Sequence, residues 1–183
     1  ESAGFKWFML NAEHARKHYL WPKICRMVDV LPSLNSGSYE LACWSRWLAY
    51  EGYSPALFVD WDCLNVSLTP DHGFEGFEIT ALNDGNPCAV YDGGFGIERF
   101  VSRFSEAYEK CRVINDKSHC GDICLFEKLL PSIPQWNYRR ICYDYDHPNL
   151  CEARIIHFGN NNVKPEHRFE NRWQAMDEYL RSK

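Results

Sequence analysis

A short apolar run that ends in two aspartates constrains this chain more than any other feature. Ala56-Leu-Phe-Val59 contains only apolar residues, and Asp60-Trp-Asp62 follows it directly. A four-residue apolar run bounded by polar residues is typical of a buried strand. Carboxylates two positions apart on a strand face the same side, so the pair is able to share one hard divalent cation. The sequence therefore predicts a strand with a cation site at its carboxyl end.

The segment before this strand has the pattern of an amphipathic helix. Apolar residues recur at steps of three and four between Leu41 and Ala49. Ser36 or Ser38 suits the N-cap of such a helix, and Gly52 suits its end after Glu51. A helix, then a buried strand, then acids at the strand tip is the order in which open α/β sheets present ligand sites.

Other segments extend this alternation of helices and strands. Strands or extended segments are predicted at Phe5–Leu10, Pro87–Tyr91, Val113–Asn115, Arg139–Tyr145 and Arg154–Phe158. Helices are predicted at Glu13–His18, Ile97 to about Cys111, Asp122–Leu130 and Glu166–Lys183, the last with Trp173, Met176, Tyr179 and Leu180 on one face. Gly93-Gly-Phe-Gly96 is interpreted as an ordinary turn. The pattern favours one α/β domain over residues 1–183, with a mixed sheet flanked by helices.

Composition excludes several classes of protein. The chain has 183 residues, 45% hydrophobic and 25% charged, and its formal charge of −5 lacks the basic footprint of a nucleic-acid binder. No apolar run approaches the roughly 20 residues that cross a bilayer, so no membrane span is expected. Nine cysteines without a Cys-x-x-Cys motif predict reduced thiols and a cytoplasmic location. Most are interpreted as small buried hydrophobes, with a structural zinc site at Cys120 and Cys124 as the lesser alternative.

The segment around the aspartates resembles a signature of GT-A glycosyltransferases, the class that includes glucosylating bacterial toxins and fungal Golgi mannosyltransferases. The likeness lies in Arg46 on the helix, Gly52-Tyr53 at its end and Asp60-Trp-Asp62 after the strand. The chain has Ala42-Cys43 where those families often have Ser-Asp, and it lacks their Gly-Gly pair. The resemblance implies a Rossmann-like GT-A fold. Because Phe5–Leu10 resembles the second strand of that fold, a first strand is expected to be missing at the N-terminus.

Two further segments are similar to those enzymes. Ile155-Ile-His157-Phe-Gly159, followed by Lys164-Pro165, resembles their closing strand, where a histidine completes the metal site and a lysine contacts the diphosphate. Asp122 begins a predicted helix, where inverting members carry the carboxylate that takes the proton of the acceptor hydroxyl. Asp122 is therefore the candidate general base and His119 the fallback, while a helix-capping role is the structural alternative for each.

Taken together, the resemblance implies a metal-dependent transferase of a hexosyl or deoxyhexosyl group. The sugar would pass from a nucleoside-diphosphate sugar to a hydroxyl of a glycan or small acceptor. The expected ligands of Mn²⁺ or Mg²⁺ are Asp60, Asp62 and His157, and the expected donor-binding residues are Arg46, Asp60, Trp61 and Lys164. Two alternatives stay open. One is a haloacid-dehalogenase-like phosphatase with Asp60 as nucleophile, and the other is a non-catalytic module that binds sugar nucleotides.

Overall fold

Helices and short strands alternate along the chain in the computed structural model, which describes residues 4–33, 35–72, 79–83, 87–94, 96–104, 106, 121–123, 136–159 and 172–182. The helices in these ranges are α1 (Ala12–Arg16), α2 (Trp21–Val28), α3 (Gly37–Glu51), α4 (Gly96–Ser102) and α5 (Arg172–Arg181). The strands are β1 (Ala56–Val59), β2 (Cys63–Asn65), β3 (Ile79–Ala81), β4 (Ala89–Asp92), β5 (Trp136–Tyr138), β6 (Cys142–Asp144) and β7 (Ile155–His157). The mixed α/β class predicted from the sequence is confirmed.

The long helix α3 begins and ends where its capping residues predict. The side chain of Ser36 accepts a hydrogen bond from the backbone N–H of Tyr39, and Gly52 is the C-cap. Its buried face carries Trp44 and Trp47, both fully buried against the neighbouring helices. Two indoles packed in this way fix the position of α3, and with it Arg46, whose guanidinium lies 5.4 Å from the ring of Trp47.

The strands form two small sheets, and the acidic turn lies between them. The first sheet has the order β1-β4-β3-β5, with only the β3–β5 pair parallel, and the second has the order β2-β7-β6, with β6 and β7 parallel. The strands β1 and β2 are consecutive in the chain but belong to different sheets. Asp60-Trp-Asp62 is therefore the point at which the chain passes from one sheet to the other.

One predicted feature is wrong and a second is correct only in part. No strand forms between Phe5 and Leu10, and Trp7, Phe8 and Met9 are exposed there, because no neighbouring strand pairs with this described segment. The last helix buries only part of its predicted face, because Met176 is buried and Tyr179 packs against the same core cluster, while the other two residues of that face are exposed. Arg172, Ala175 and Met176 are its buried residues, whereas Trp173 and Leu180 are exposed. The inward position of Arg172 follows from an ion pair that the apolar pattern does not contain.

The glycine-rich turn after β4 is an ordinary structural turn, as predicted. One oxygen of the buried Asp92 accepts hydrogen bonds from the backbone N–H groups of Gly94 and Gly96, and the other accepts one from Ile97. Because a carboxylate of the chain already occupies these donors, they are not available to cradle a phosphate.

Several predictions fall on residues outside the described ranges. These are the strand Val113–Asn115, the second half of the helix predicted from Ile97 to about Cys111, and all but the first two residues of the helix Asp122–Leu130. The start of the helix Glu166–Lys183 and the individual residues His119, Cys120, Cys124 and Lys164 also lie outside the described ranges.

Candidate functional site

The guanidinium of Arg46 lies between two carboxylates that come from distant parts of the chain. Its Nη1 donates to both oxygens of Asp60 at 2.9 and 2.8 Å, while Nε and Nη2 donate to Oδ2 of Asp122 at 3.1 and 2.7 Å. The indole Nε1 of Trp47 donates to the same oxygen of Asp122 at 2.9 Å. Charge-assisted, bidentate contacts of this kind fix the positions of the guanidinium and of both carboxylates. Three predicted site residues are thus brought into one cluster.

The charges in this cluster shift the ionisation of its members. Burial raises the pKa of Asp60 to about 6, although the charge of Arg46 opposes that rise. Burial also lowers the pKa of Arg46, but Asp122 and Asp60 outweigh the burial and leave the pKa raised. The guanidinium therefore stays charged, and both oxygens of Asp60 accept hydrogen bonds from it.

Asp62 lies on the other side of the turn, buried against the second sheet. Arg172 of α5 donates a hydrogen bond to Oδ2 of Asp62, and Nε2 of His157 lies 3.7 Å from Oδ1. The β2–β7 register explains the second contact, since Cys63, the residue after Asp62, pairs with His157. Burial raises the pKa of Asp62, while the charges of His157 and Arg172 oppose that rise.

A third carboxylate, that of Asp144, contacts the imidazole of His157 on the side away from Asp62. The ring Nδ1 lies 2.7 Å from Oδ1 of Asp144, its neighbour in the parallel β6–β7 pair. Burial alone would lower the pKa of His157, but hydrogen bonds with Asp144 and Cys88 and the charge of Asp62 raise it to about 10. With Nδ1 turned to Asp144, the ring presents Nε2 to Asp62.

Gly159, the second residue after β7, leaves room for the ring. A Cβ added at Gly159 would lie 2.6 Å from Cε1 of His157, which is closer than real atoms approach. Only glycine leaves room for the imidazole in this position, so the backbone at Gly159 is part of the support for the ring.

Asp62 and His157 form an ion pair as they stand, because a pKa of about 10 keeps the imidazole protonated, so a divalent cation between them would have to displace that proton. An ion bonded at about 2.0–2.2 Å to oxygen and nitrogen ligands is able to bridge two atoms that lie 3.7 Å apart. Carboxylate and imidazole suit Mn²⁺, and a carboxylate behind a ligating histidine is a common device of metal sites. Two protein ligands would leave positions for the oxygens of a diphosphate. Asp60 stands beside this pair, and each of its oxygens accepts one hydrogen bond from Arg46, which leaves each oxygen one further acceptor position.

Trp61 projects from the acidic turn toward solvent. The guanidinium of Arg172 lies 4.7 Å from the centre of its ring, and the ring of Trp173 lies 6.1 Å away. An exposed indole between the partly exposed Asp60 and the buried Asp62 offers a flat surface on which a base or sugar ring is able to stack.

Sequence reasoning missed Arg172 and Asp144. Arg172 contacts Asp62 from the far end of the chain, and no spacing near either residue indicates the pair. Asp144 is aligned with His157 only by the pairing of β6 with β7. Its contact with His157 was therefore predictable only from a correct prediction of that strand pairing.

Compared with protein-family models, with curated proteins and with solved structures, the chain gives no significant match. Within the described residues, none of the helices combines the length and the apolar character that a bilayer crossing requires.

Proposed function

We propose that the chain is a metal-dependent glycosyltransferase with a single GT-A-like domain. It would move a hexosyl or deoxyhexosyl group from a nucleoside-diphosphate sugar to a hydroxyl of a glycan or small acceptor. One observation carries the proposal. Asp62 and His157, predicted as ligands of one ion from distant segments, face each other across 3.7 Å with Asp144 behind the imidazole.

The Asp62–His157 pair determines which role each neighbouring residue would have in the proposed reaction. Mn²⁺ or Mg²⁺, when bound, would neutralise the charge that develops on the departing diphosphate. Asp62 and His157 would hold the ion, and Asp144 would keep Nε2 of the imidazole turned toward it. Lys164 keeps its predicted contact with the diphosphate as part of the proposal.

Arg46 acts differently from its predicted role in this scheme. Its four hydrogen bonds to Asp60 and Asp122 support a positioning role for the guanidinium rather than direct contact with a diphosphate. Asp60, fixed in this way, would accept a hydrogen bond from a ribose hydroxyl of the donor through the acceptor position that each oxygen keeps beside its bond to Arg46. Trp61 supplies the stacking surface beside it.

Asp122 has two roles to distinguish. Its Oδ2 accepts three hydrogen bonds and the side chain is buried, which supports positioning of Arg46. The role of general base comes from the resemblance and remains a separate proposal, tested by Asp122→Asn below. The six described cysteines are free thiols, which supports a reducing, cytoplasmic compartment.

The experiment is a thermal-shift screen of nucleoside diphosphates and sugar nucleotides, each with and without Mn²⁺. We expect one nucleotide to stabilise the protein only when the metal is present, by about 2.7 kcal/mol at 100 times the dissociation constant. Asp62→Asn should abolish this stabilisation, while Asp71→Asn, an exposed aspartate in the 3-10 helix Pro70–His72, should keep it.

Other outcomes would contradict the proposal. Hydrolysis of an aryl phosphate that depends on Asp60, with no nucleotide effect, would indicate the phosphatase instead. Metal-independent nucleotide binding without transfer to any acceptor would indicate a binding module.

A further inference from the structure

Three thiols from different parts of the chain meet behind the acidic turn. The Sγ atoms of Cys63, Cys88 and Cys142 all lie within 4.8 Å of one another, and those of Cys88 and Cys142 are 3.8 Å apart. Cys63 begins β2 and Cys142 begins β6 in the second sheet, whereas Cys88 directly precedes β4 in the first. The cluster therefore connects both sheets.

The surroundings of the thiols are polar as well as buried. Cys88 and Cys142 are fully buried, and Cys63 is partly exposed. The side-chain amide of the buried Asn83 donates to Sγ of Cys88 at 3.3 Å and to Sγ of Cys142 at 3.8 Å. Donors aimed at sulfur are the usual supporting contacts of metal-bound thiolates. Thiols that serve only as small hydrophobes need no such donor.

We infer that Cys63, Cys88 and Cys142 form a binding site for a thiophilic divalent cation of the Zn²⁺ class. Thiolates bound at about 2.3 Å to a tetrahedral ion lie about 3.8 Å from one another, which is the separation of Cys88 and Cys142, while Cys63 lies within 4.8 Å of both. The partial exposure of Cys63 gives the ion a path of entry. The cluster adjoins the Asp62–His157 pair, since Cys88 forms a hydrogen bond with His157, but its chemistry differs, because thiolates favour Zn²⁺ while oxygen ligands favour Mn²⁺ and Mg²⁺.

The inference goes beyond the proposed function and does not depend on it. An ion held by these thiols stabilises the acidic turn, because Cys63 follows Asp62 and the carbonyl of Cys88 accepts from the backbone N–H of Asp60 at 2.8 Å. It ties β2, β6 and the start of β4 together at the junction of the two sheets. Its role is structural, and loss of the ion is expected to lower the stability of the fold.

The first test uses the full chain without substitution. After purification without chelators, the protein should retain one zinc per chain, and X-ray absorption at the zinc edge should show three sulfur neighbours at about 2.3 Å. Replacement of zinc by Co²⁺ should give the intense thiolate-to-metal absorption band of a tetrahedral sulfur site. A protein that retains no zinc and takes up Co²⁺ without such a band, or zinc with only oxygen and nitrogen neighbours, would overturn the inference.

The second test assigns the ligands. Cys88→Ser and Cys63→Ser should each lose the Co²⁺ band, while Cys151→Ser, at an exposed cysteine on the 3-10 helix Leu150–Glu152, should keep it. Asp62→Asn should keep the band as well, so failure of the proposed Mn²⁺ site and failure of this site are distinguishable. A band that survives both Cys88→Ser and Cys63→Ser would place the ion elsewhere and refute the assignment.

Discussion

Replacing Arg46 with methionine removes the guanidinium that holds Asp60 and Asp122 together. Four hydrogen bonds are lost, and two carboxylates remain with side chains that are only 24% and 4% exposed. Removal of one partner from a buried ion pair costs about 3–5 kcal/mol. For a protein of this length, that loss corresponds to a decrease in Tm of about 6–20 °C.

The loss should depend on pH, and the sign follows from Asp60. Its pKa is about 6 with Arg46 present, and it rises further when the charge that opposes this rise is removed. The ordinary pKa of an unfolded aspartate is about 3.9, so between these values the folded state binds a proton that the unfolded state releases. The free energy of unfolding of Arg46→Met should therefore increase as the pH falls from 7 to 5, and by more than in the wild type.

The assay is urea unfolding followed by tryptophan fluorescence at pH 7 and at pH 5. Arg181→Met is the control, because Arg181 and Asp177 form a pair with side chains 77% and 55% exposed, for which a change of at most about 1 kcal/mol is expected. Arg46→Met that is no less stable than the control would refute the reasoning. If Arg46→Met does not fold at pH 7, the triple variant that also carries Asp60→Asn and Asp122→Asn should fold. A triple variant that stays unfolded would equally refute the reasoning.

Three further substitutions test the surroundings of the metal pair. Asp144→Asn should weaken Mn²⁺ binding about 10–100-fold in isothermal titration, and an unchanged affinity would remove its orienting role for His157. Gly159→Ala forces a Cβ against the imidazole and should lower the free energy of unfolding by about 1–3 kcal/mol in urea titrations; full stability would contradict the close packing. Asp122→Asn should lower kcat about 10²–10⁴-fold and change the pH profile of transfer if Asp122 is the base, whereas an unaltered profile would leave it only a positioning residue.

Local chemistry explains which elements could be predicted. The ends of α3 follow from Ser36 and Gly52, whose capping preferences act within one turn of the helix. The strands β1 and β7 follow from apolar runs long enough to pair. Phe5–Leu10 has the same apolar character but finds no partner strand, and a sequence pattern does not contain that information.

The candidate site was predictable only where its residues lie next to such elements. Asp60, Asp62 and His157 each sit at or beside the end of a predicted strand, so their positions follow from the strands. Asp144 and Arg172 reach the site through strand pairing and through an ion pair across the fold. Contacts between residues so far apart in the chain leave no periodic signal in one sequence.

The thiol cluster escaped prediction for the same reason. Cys63, Cys88 and Cys142 are separated by long segments and match none of the short spacings by which zinc sites are recognised. Only the junction of the two sheets brings their sulfur atoms together.

The central claim is that Asp62 and His157 hold one divalent cation. Pulsed electron paramagnetic resonance of Mn²⁺ bound with a nucleoside diphosphate measures whether an imidazole nitrogen is directly coordinated. The account predicts a nitrogen coupling in the wild type that is lost in His157→Ala, together with loss of bound Mn²⁺ in Asp62→Asn. A wild-type spectrum without nitrogen coupling, or the same coupling in His157→Ala, would contradict it.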